Sequence, residues 1–228
     1  RHGATSVIAY RDMGYLPEGL LNYLVRLGWS HGDDEIFSRE EMIRLFDIAQ
    51  VGRAPSVFNP EKLNWLNAHY IKQLPPEQLA LLLHPHLDSA GITEAQCALI
   101  DVTRVCQVLQ ERAQTLGEMA QRALFFFRAP VEFDRDAVAK FDPAHLGMVF
   151  SEVAQALPGD DVAVTAEEID ALLKGLCQDK GWKMPQVGQP VRIALSGGTQ
   201  APGIGEIVSV LGCAETRRRL GFAIKTLC

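Results

Sequence analysis

The chain has 228 residues, of which 47% are hydrophobic and 22% charged, and its formal net charge is −6. Length and composition indicate an ordinary soluble protein with one or two globular domains. No run of 18 or more apolar residues is present, which excludes an ordinary transmembrane helix, and no secretory signal fits the N-terminus. The acidity argues mildly against nucleic acid, because nucleic-acid binders usually carry a basic face.

The cysteines do not form a zinc or disulfide pattern. His84 and His86 bracket Pro85, but no cysteine lies nearby to complete a metal site. We therefore predict no metal, and reduced cysteines in a cytoplasmic protein. The five cysteines are Cys97, Cys106, Cys177, Cys213 and Cys228.

The first third of the chain has the pattern of successive helices. Pro17 suits a first helical turn, leucines follow at helical spacing, and Gly28 ends the run. Ser38 and Glu41 predict a capping box, in which each side chain satisfies a free backbone N–H of the other residue. Asn59 with Pro60 begins another helix.

The rest of the chain continues in the same way. Further capping boxes are predicted for Thr93 with Gln96, Thr115 with Glu118, and Thr165 with Glu168. A helix is expected from Asp142-Pro143 to Pro158-Gly159, a short one after Pro190, and another from Pro202 to Gly212. No run alternates with period two, so the sequence predicts an all-α fold of helical blocks in series, with breaks near 73 and 130.

The residues taken alone offer no active site. There is no Walker loop, no nucleophile elbow, no dinucleotide-binding glycine pattern and no zinc-protease motif. Ser196-Gly197-Gly198 follows a helical segment, so it predicts a turn and not a phosphate cradle. We therefore expect no catalytic residue in this chain.

Two features near the C-terminus are compatible with nucleic-acid binding. Arg192 follows Pro190, and Pro202-Gly203 predicts a rigid exposed turn about ten residues later. A fixed guanidinium and a stiff apolar loop can clamp an unstacked base, although a helix cap and an ordinary turn explain the same residues. Residues 181–228 are also locally basic, and their cations are Lys183, Arg192, Arg217, Arg218, Arg219 and Lys225.

Two stretches resemble a known family. Residues 1–71 include GYLPEGLLNYLVRLGWS and EKLNWLNAHYI, and residues 190–220 read PVRIALSGGTQAPGIGEIVSVLGCAETRRRL. Residues 1–71 closely resemble the region after the nucleotide-binding signature loop of bacterial glutamate–tRNA ligases, with Arg1-His2-Gly3 as the tail of that loop. Residues 190–220 resemble the family's C-terminal anticodon-binding segment, while residues 73–188 match more loosely, mainly through LQERAQTLGEMA.

The resemblance implies a C-terminal fragment of a class I aminoacyl-tRNA synthetase with an all-helical architecture. Its parts would be a stem-contact fold (1–73) and two helical anticodon-binding modules (74–130 and 131–228). The full-length enzyme of this family attaches glutamate to tRNA(Glu) with ATP and Mg²⁺. The nucleotide-binding domain would be missing here, so we expect the fragment to be inactive alone, monomeric, cytoplasmic and without a cofactor of its own.

The family's anticodon contacts can be transferred to a few positions. The resemblance implies that Arg192 contacts anticodon bases and that Ala201, Pro202 and Ile204 line the anticodon pocket. A hydroxyl residue can precede this proline in relatives, and Ala201 removes it. Arg112 matches an arginine that reads the wobble base and separates tRNA(Glu) from tRNA(Gln), with Arg104 and Arg122 as competing matches.

Other roles remain open at this stage. Lys183 and the run Arg217, Arg218 and Arg219 are predicted to contact tRNA phosphates or simply solvent. The alternative functions are a helical protein–protein interaction module without a nucleic-acid role, which the net charge favours, and a free-standing enzyme, for which catalytic residues would be needed. Salt dependence separates the first alternative from tRNA binding, because phosphate contacts release counterions.

Overall fold

The computed structural model describes residues 6–52 and 56–228, so the predicted signature-loop tail Arg1-His2-Gly3 lies outside the described residues. The described residues form helices and no β-strand, which confirms the all-α prediction. The helices are α1 (Val7–Met13), α2 (Pro17–Arg26), α3 (Arg39–Leu45), α4 (Pro60–Gln73), α5 (Pro76–Ser89), α6 (Glu94–Cys97), α7 (Val102–Leu109), α8 (Leu116–Phe127), α9 (Arg135–Val138), α10 (Pro143–Ala156), α11 (Ala166–Lys180), α12 (Met184–Ser196) and α13 (Ile204–Leu227), with 3₁₀ turns at Ile48–Gln50 and Gln110–Arg112. None of the helices in these residues is long and apolar enough to cross a bilayer.

Side-chain caps set several of the helix starts. The Ser38 hydroxyl accepts from the backbone N–H of Glu41 at 3.1 Å, and the Glu41 carboxylate accepts from that of Ser38 at 2.8 Å. The same reciprocal pairs begin α6 at Thr93 and α11 at Thr165. These interactions satisfy N–H groups that have no partner inside the helix, so three of the predicted capping boxes are confirmed.

The chain packs as two compact units, each built from two stretches of sequence. Unit 1 contains the described part of Arg1–Gly91 together with Leu109–Gln121, and unit 2 contains Ile92–Val108 together with Arg122–Cys228. Residues 74–91 and 109–121, which the sequence-based division assigns to the first anticodon-binding module, therefore pack within unit 1.

Unit 1 is centred on α2 and α4. Leucine and tyrosine side chains of the two helices form a buried cluster, because their apolar residues recur at helical spacing. Beside this cluster, the buried Asn22 amide donates to the Glu35 carbonyl at 2.9 Å and accepts from the Phe37 backbone N–H at 2.8 Å. The Tyr70 hydroxyl lies 2.7 Å from Asn22 Oδ1 and 2.8 Å from the Phe37 carbonyl oxygen, so both polar atoms of the buried Asn22 amide have partners.

A second buried amide ties distant parts of unit 1 together. Asn67 is fully buried and accepts from the Leu16 backbone N–H at 2.7 Å, while its Nδ2 donates to the Gln114 carbonyl at 2.6 Å. Gly14 has φ +92°, and a side chain there would lie 2.3 Å from the backbone nitrogen of Gly117. Only glycine permits this approach of the two backbone segments.

Unit 2 is a bundle of α10, α11 and α12 around α13, which packs on all three. Gly205 near the start of α13 lies so close to α11 that an added Cβ would be 2.3 Å from the Ala166 carbonyl oxygen. Within α13, Gly212 has φ +78° and ψ +166°, so the helix is interrupted there. This break agrees with the predicted helix end at Gly212.

One predicted helix start is wrong. The sequence predicts a short helix after Pro190, but α12 begins at Met184 and contains Pro190 in its interior. Proline lacks the N–H that would bond the carbonyl four residues earlier, which is that of Gln186. The His145 Nε2 atom lies 3.1 Å from this Gln186 oxygen, so the ring of a neighbouring helix can replace the missing donor.

Candidate nucleic-acid interface

Arg192 lies in the C-terminal half of α12, half-buried in unit 2. Its Nε donates to the backbone carbonyl of Pro202 at 3.1 Å. This bond fixes the plane of the guanidinium group and leaves both terminal nitrogens for other acceptors. Arg192 takes part in no ion pair with a side chain of the described residues.

The segment 197–203 joins α12 to α13 and is held at its first residues. Gly197 has φ +87°, and its carbonyl accepts from the Asp134 backbone N–H at 2.8 Å. The Ser196 hydroxyl lies 2.8 Å from the Arg192 carbonyl and 3.1 Å from that of Gly198. We refer to residues 197–203 as the reading loop.

The apolar residues of the reading loop are less accessible than the sequence predicts. Pro202 is buried and Ile204, which follows the loop, is also buried, so the expectation that the Pro202-Gly203 turn is exposed is wrong for the proline. Ala201 remains half-exposed. The exposed residues of the loop are Thr199 and Gln200, which the sequence analysis did not single out although polar residues between glycines commonly mark a surface turn.

Lys183 is exposed and stands just before α12, the helix that carries Arg192. Its backbone N–H donates to the Gln186 side chain at 2.8 Å, so the start of the helix is capped. The backbone that carries the exposed ammonium group is therefore fixed at the start of a helix in unit 2.

Arg217 is bound by the protein itself. Its Nε donates to the Ala154 carbonyl at 3.0 Å and its Nη2 to the Leu157 carbonyl at 2.7 Å, with further bonds to the Pro158 carbonyl and the Asp160 carboxylate. These acceptors belong to the C-terminal end of α10 and the turn after it, where helical carbonyls lack internal partners. The Arg217 guanidinium, although 30% exposed, is therefore already bonded to acceptors of the protein itself.

Arg219 is also unavailable, because its side chain is only 2% exposed. Its Nη1 donates to the carbonyls of Phe125 and Leu195, both at 2.7 Å, and its Nε donates to Glu215 at 2.7 Å. The sequence contained a signal for this pair, since Glu215 lies four residues before Arg219 on the same helix. Because the Arg219 side chain is buried, the solvent or phosphate role predicted for it is wrong.

Arg218 has a different environment. Its side chain is 60% exposed and makes a two-pronged contact with Glu215 at 2.6 and 2.7 Å. Burial alone would raise the pKa of Glu215, but the hydrogen bonds from Arg218 and Arg219 lower it overall. The carboxylate therefore stays ionised, and its single negative charge is shared by Arg218 and Arg219.

The candidate wobble-reading arginines fall in different units. Arg112 is exposed, ends the 3₁₀ turn Gln110–Arg112 and belongs to unit 1. The competing Arg104 lies on α7 in unit 2, where its Nη1 donates to the Ser209 carbonyl at 3.0 Å. Arg122 is exposed on α8 and also belongs to unit 2.

Comparisons with known proteins find similarity to tRNA synthetases. A family profile described as an anticodon binding domain matches residues 78–224, and a profile for the catalytic domain of class I tRNA synthetases (E and Q) matches residues 1–65. The glutamate–tRNA ligase of Trichlorobacter lovleyi is 65% identical over 96% of this chain and 47% of its own length. That of Geobacter sulfurreducens is 47% identical over 100% of this chain and 48% of its own length.

Solved structures of glutamate–tRNA ligases are also similar to this chain. A glutamate tRNA ligase from Elizabethkingia meningosepticum, in complex with its amino acid, superposes with a TM-score of 0.83 at 30% identity, over 96% of this chain and 43% of that chain. The glutamate-tRNA synthetase from Elizabethkingia anophelis superposes with a TM-score of 0.78 at 28% identity, over 95% and 42% of the two chains.

The all-helical fold with an anticodon binding domain over most of its length defines a tRNA-binding part of an aminoacyl-tRNA synthetase. The chain belongs to the glutamate–tRNA ligase family: residues 78–224 match the anticodon binding domain, and residues 1–65 match the profile of the catalytic domain. It spans about half the length of the curated relatives it matches.

Proposed function

We propose that this chain reads the anticodon of glutamate tRNA, tRNA(Glu), with Arg192 and the reading loop. The observation that carries the proposal is the bond from Arg192 Nε to the Pro202 carbonyl, which orients the guanidinium while leaving its terminal nitrogens available. A guanidinium held in this way can donate to the acceptor atoms on a base edge with little loss of side-chain entropy. One such contact contributes about 1–3 kcal/mol of discrimination between bases.

The neighbouring residues have distinct proposed roles. Ala201 supplies a small apolar surface at the half-exposed part of the loop. Pro202 and Ile204 act from the interior, Pro202 through its carbonyl and Ile204 through packing that holds the start of α13. The exposed Thr199 and Gln200 extend the set of hydrogen-bonding groups beside Arg192.

We assign the sequence-neutral contacts to other cations. Lys183 is exposed before α12 and Arg218 is exposed on α13, so both can approach phosphates, although Arg218 must share its charge with Glu215. Arg112 stays the proposed wobble-reading residue. Arg217 and Arg219 are excluded from the tRNA contacts because backbone carbonyls and carboxylates occupy their guanidinium groups.

The whole protein's activity follows from the family. We propose that the full-length enzyme attaches glutamate to tRNA(Glu) with ATP and Mg²⁺, as a cytoplasmic monomer. We assign Mg²⁺ and ATP to the part of the relatives' length that this chain does not span. Within the chain, 1–73 would contact the tRNA stem and 74–130 and 131–228 would approach the anticodon.

The experiment is a binding titration of this chain with an unmodified tRNA(Glu) transcript, beside a transcript whose anticodon is replaced, across a salt series. We expect tighter binding to the first transcript and a linear fall of log affinity with log salt. If Lys183 and Arg218 neutralise two phosphates, the slope is about −1.5. Equal affinity for the two transcripts, or a salt-insensitive affinity, would contradict anticodon reading and favour a protein–protein interaction module.

A further inference from the structure

Arg219 joins the C-terminal ends of two helices in the interior of unit 2. Leu195 is next to the last residue of α12, and Phe125 lies two residues before the end of α8. Carbonyls at these positions have no donor within their own helix. The Nη1 atom of Arg219 carries two N–H groups and lies 2.7 Å from each of the two oxygens, so one nitrogen can satisfy both helix ends.

The chain segments that leave these two helices are joined as well. Asp134, which follows α8 and its turn, donates its backbone N–H to the Gly197 carbonyl at 2.8 Å. At Gly197 an added Cβ would lie 3.1 Å from Pro130 Cβ and 3.2 Å from the Glu132 carbonyl oxygen. The C-terminal end of α12 is therefore held in two places. Arg219 bonds to the Leu195 carbonyl, and residues 130–134 contact Gly197.

Arg192, which we propose contacts the anticodon, lies near the same C-terminal end of α12. Arg192 precedes Leu195 by three residues, about one helical turn, and its guanidinium is held by the carbonyl of Pro202 in the reading loop. A shift of the α12 end would move both the backbone of Arg192 and the first residues of that loop. The orientation of the guanidinium depends on both.

We propose that Arg219 is a positioning residue for anticodon recognition, acting through the end of α12 on Arg192 and the reading loop without contacting RNA. The inference rests on the proposed function, because it needs Arg192 to read a base. Glu215 completes the arrangement, since its carboxylate lies 2.7 Å from Arg219 Nε and balances the buried charge.

Arg217 provides a matched control for this role. It lies two residues from Arg219 on α13 and also donates to carbonyls at a helix C-terminus, but its acceptors belong to α10 and the turn after it. Lysine at either position keeps the charge and loses the planar fork that serves several acceptors at once. Both substitutions therefore weaken hydrogen bonds to the C-terminal carbonyls of a helix in unit 2. Only Arg219→Lys affects α12, the helix that carries Arg192.

The test compares Arg219→Lys with Arg217→Lys in the 228-residue chain. The readout is the ratio of the affinities for the tRNA(Glu) transcript and the anticodon-replaced transcript, with thermal melting measured in parallel. We expect the ratio to fall about fivefold or more in Arg219→Lys, the lower end of what one base contact gives, and to stay near the parent value in Arg217→Lys. An unchanged ratio in Arg219→Lys, or an equal fall in both variants, would overturn the inference.

A second pair of variants tests the inference if Arg219→Lys does not fold. Glu215→Gln removes the carboxylate charge that pairs with Arg219 Nε and leaves Arg192 and the reading loop unchanged, whereas Asp160→Asn does the same to the side-chain partner of Arg217. We expect the anticodon ratio to fall in Glu215→Gln alone, and an unchanged ratio in it would contradict the inference. If the parent chain itself shows no anticodon preference, the proposed function fails and this inference fails with it; a parent preference that the folded Arg219 or Glu215 variant retains refutes the positioning role only.

Discussion

Arg192 differs from the arginines of α13 in how much of its guanidinium group the protein uses. One bond from Nε to the Pro202 carbonyl holds it, whereas Arg217 and Arg219 donate to three or more acceptors each. An arginine whose donors are already satisfied gains little from a new acceptor. The residue type alone does not separate these cases, and only the packing of α10, α8 and α12 against α13 does.

The first prediction concerns the two terminal nitrogens of the Arg192 guanidinium group. Arg192→Ala should weaken binding of the matched tRNA(Glu) transcript by about 1–3 kcal/mol, as for a lost base contact. Arg192→Lys retains the charge, so it should lose the preference for the matched anticodon while the salt slope stays close to that of the parent. Both quantities come from titrations of the two transcripts at several salt concentrations.

Lys183→Ala is the control for this prediction. Lys183 is exposed and proposed to contact phosphate, so its loss should weaken binding to both transcripts equally and make the salt slope shallower by about 0.7–0.9. If Arg192→Ala lowered both affinities by the same factor, Arg192 would have to be reassigned as a phosphate contact.

A second prediction at the residue scale separates two neighbouring arginines by their effect on stability. Arg217→Ala should lower the free energy of unfolding by about 1–3 kcal/mol, because it leaves helix-end carbonyls such as that of Leu157 without their donor. Arg218→Ala should change it by no more than about 0.5 kcal/mol, because Arg218 is 60% exposed and Glu215 keeps Arg219 as its other partner. Urea denaturation of the two variants measures the difference, and similar losses would show that the carbonyl contacts of Arg217 do not stabilise the fold.

At the scale of elements, helix starts are the most predictable feature. Ser38, Thr93 and Thr165 begin helices through reciprocal caps that are local in sequence, so a single sequence reveals them. The start of α12 escapes prediction because a proline usually ends a helix, and here Pro190 is tolerated. The compensating atom, His145 Nε2, comes from α10, which no local pattern could indicate.

Two glycines of α13 give a prediction about helix packing. Gly221→Ala should stabilise the chain by about 0.5–1 kcal/mol, because nothing lies within 4 Å of the added Cβ and alanine restricts the unfolded chain. Gly205→Ala should instead destabilise it by about 1–3 kcal/mol, because the Cβ would meet the Ala166 carbonyl oxygen at 2.3 Å. Thermal melting of both variants checks the opposite signs, and stabilisation by Gly205→Ala would mean that α11 and α13 are less closely packed than described.

At the scale of the whole molecule, composition is a poor indicator of function. The net charge of −6 argues against nucleic acid, yet the chain belongs to a family with an anticodon binding domain. Anticodon recognition depends on a few placed groups and not on the mean charge. The resemblance of residues 1–71 and 190–220 identified the family correctly. The sequence does not predict that 109–121 packs within unit 1, because this grouping depends on contacts between residues more than 40 positions apart, such as Asn67 with Gln114.

The last prediction tests whether these two units are also units of folding. Asn67→Ala removes the buried amide that pairs with Leu16 and Gln114, so it should cost about 1–3 kcal/mol for each group left unpaired. Cooperative units open separately when a tie within one of them is broken. Amide hydrogen exchange should therefore lose protection in unit 1, which comprises residues 6–52, 56–91 and 109–121, and keep more of it in unit 2, which comprises 92–108 and 122–228.

Asn64→Ala is the matched control for this prediction. Asn64 lies on the same helix and is half-buried, and its Oδ1 accepts from the Tyr15 hydroxyl at 2.5 Å. Water can replace this partner at a half-exposed site, so the variant should lose less than about 1 kcal/mol and change the exchange pattern little. A uniform loss of protection throughout the chain in Asn67→Ala would mean that unit 1 does not unfold separately from unit 2, and that a single cooperative transition includes both units.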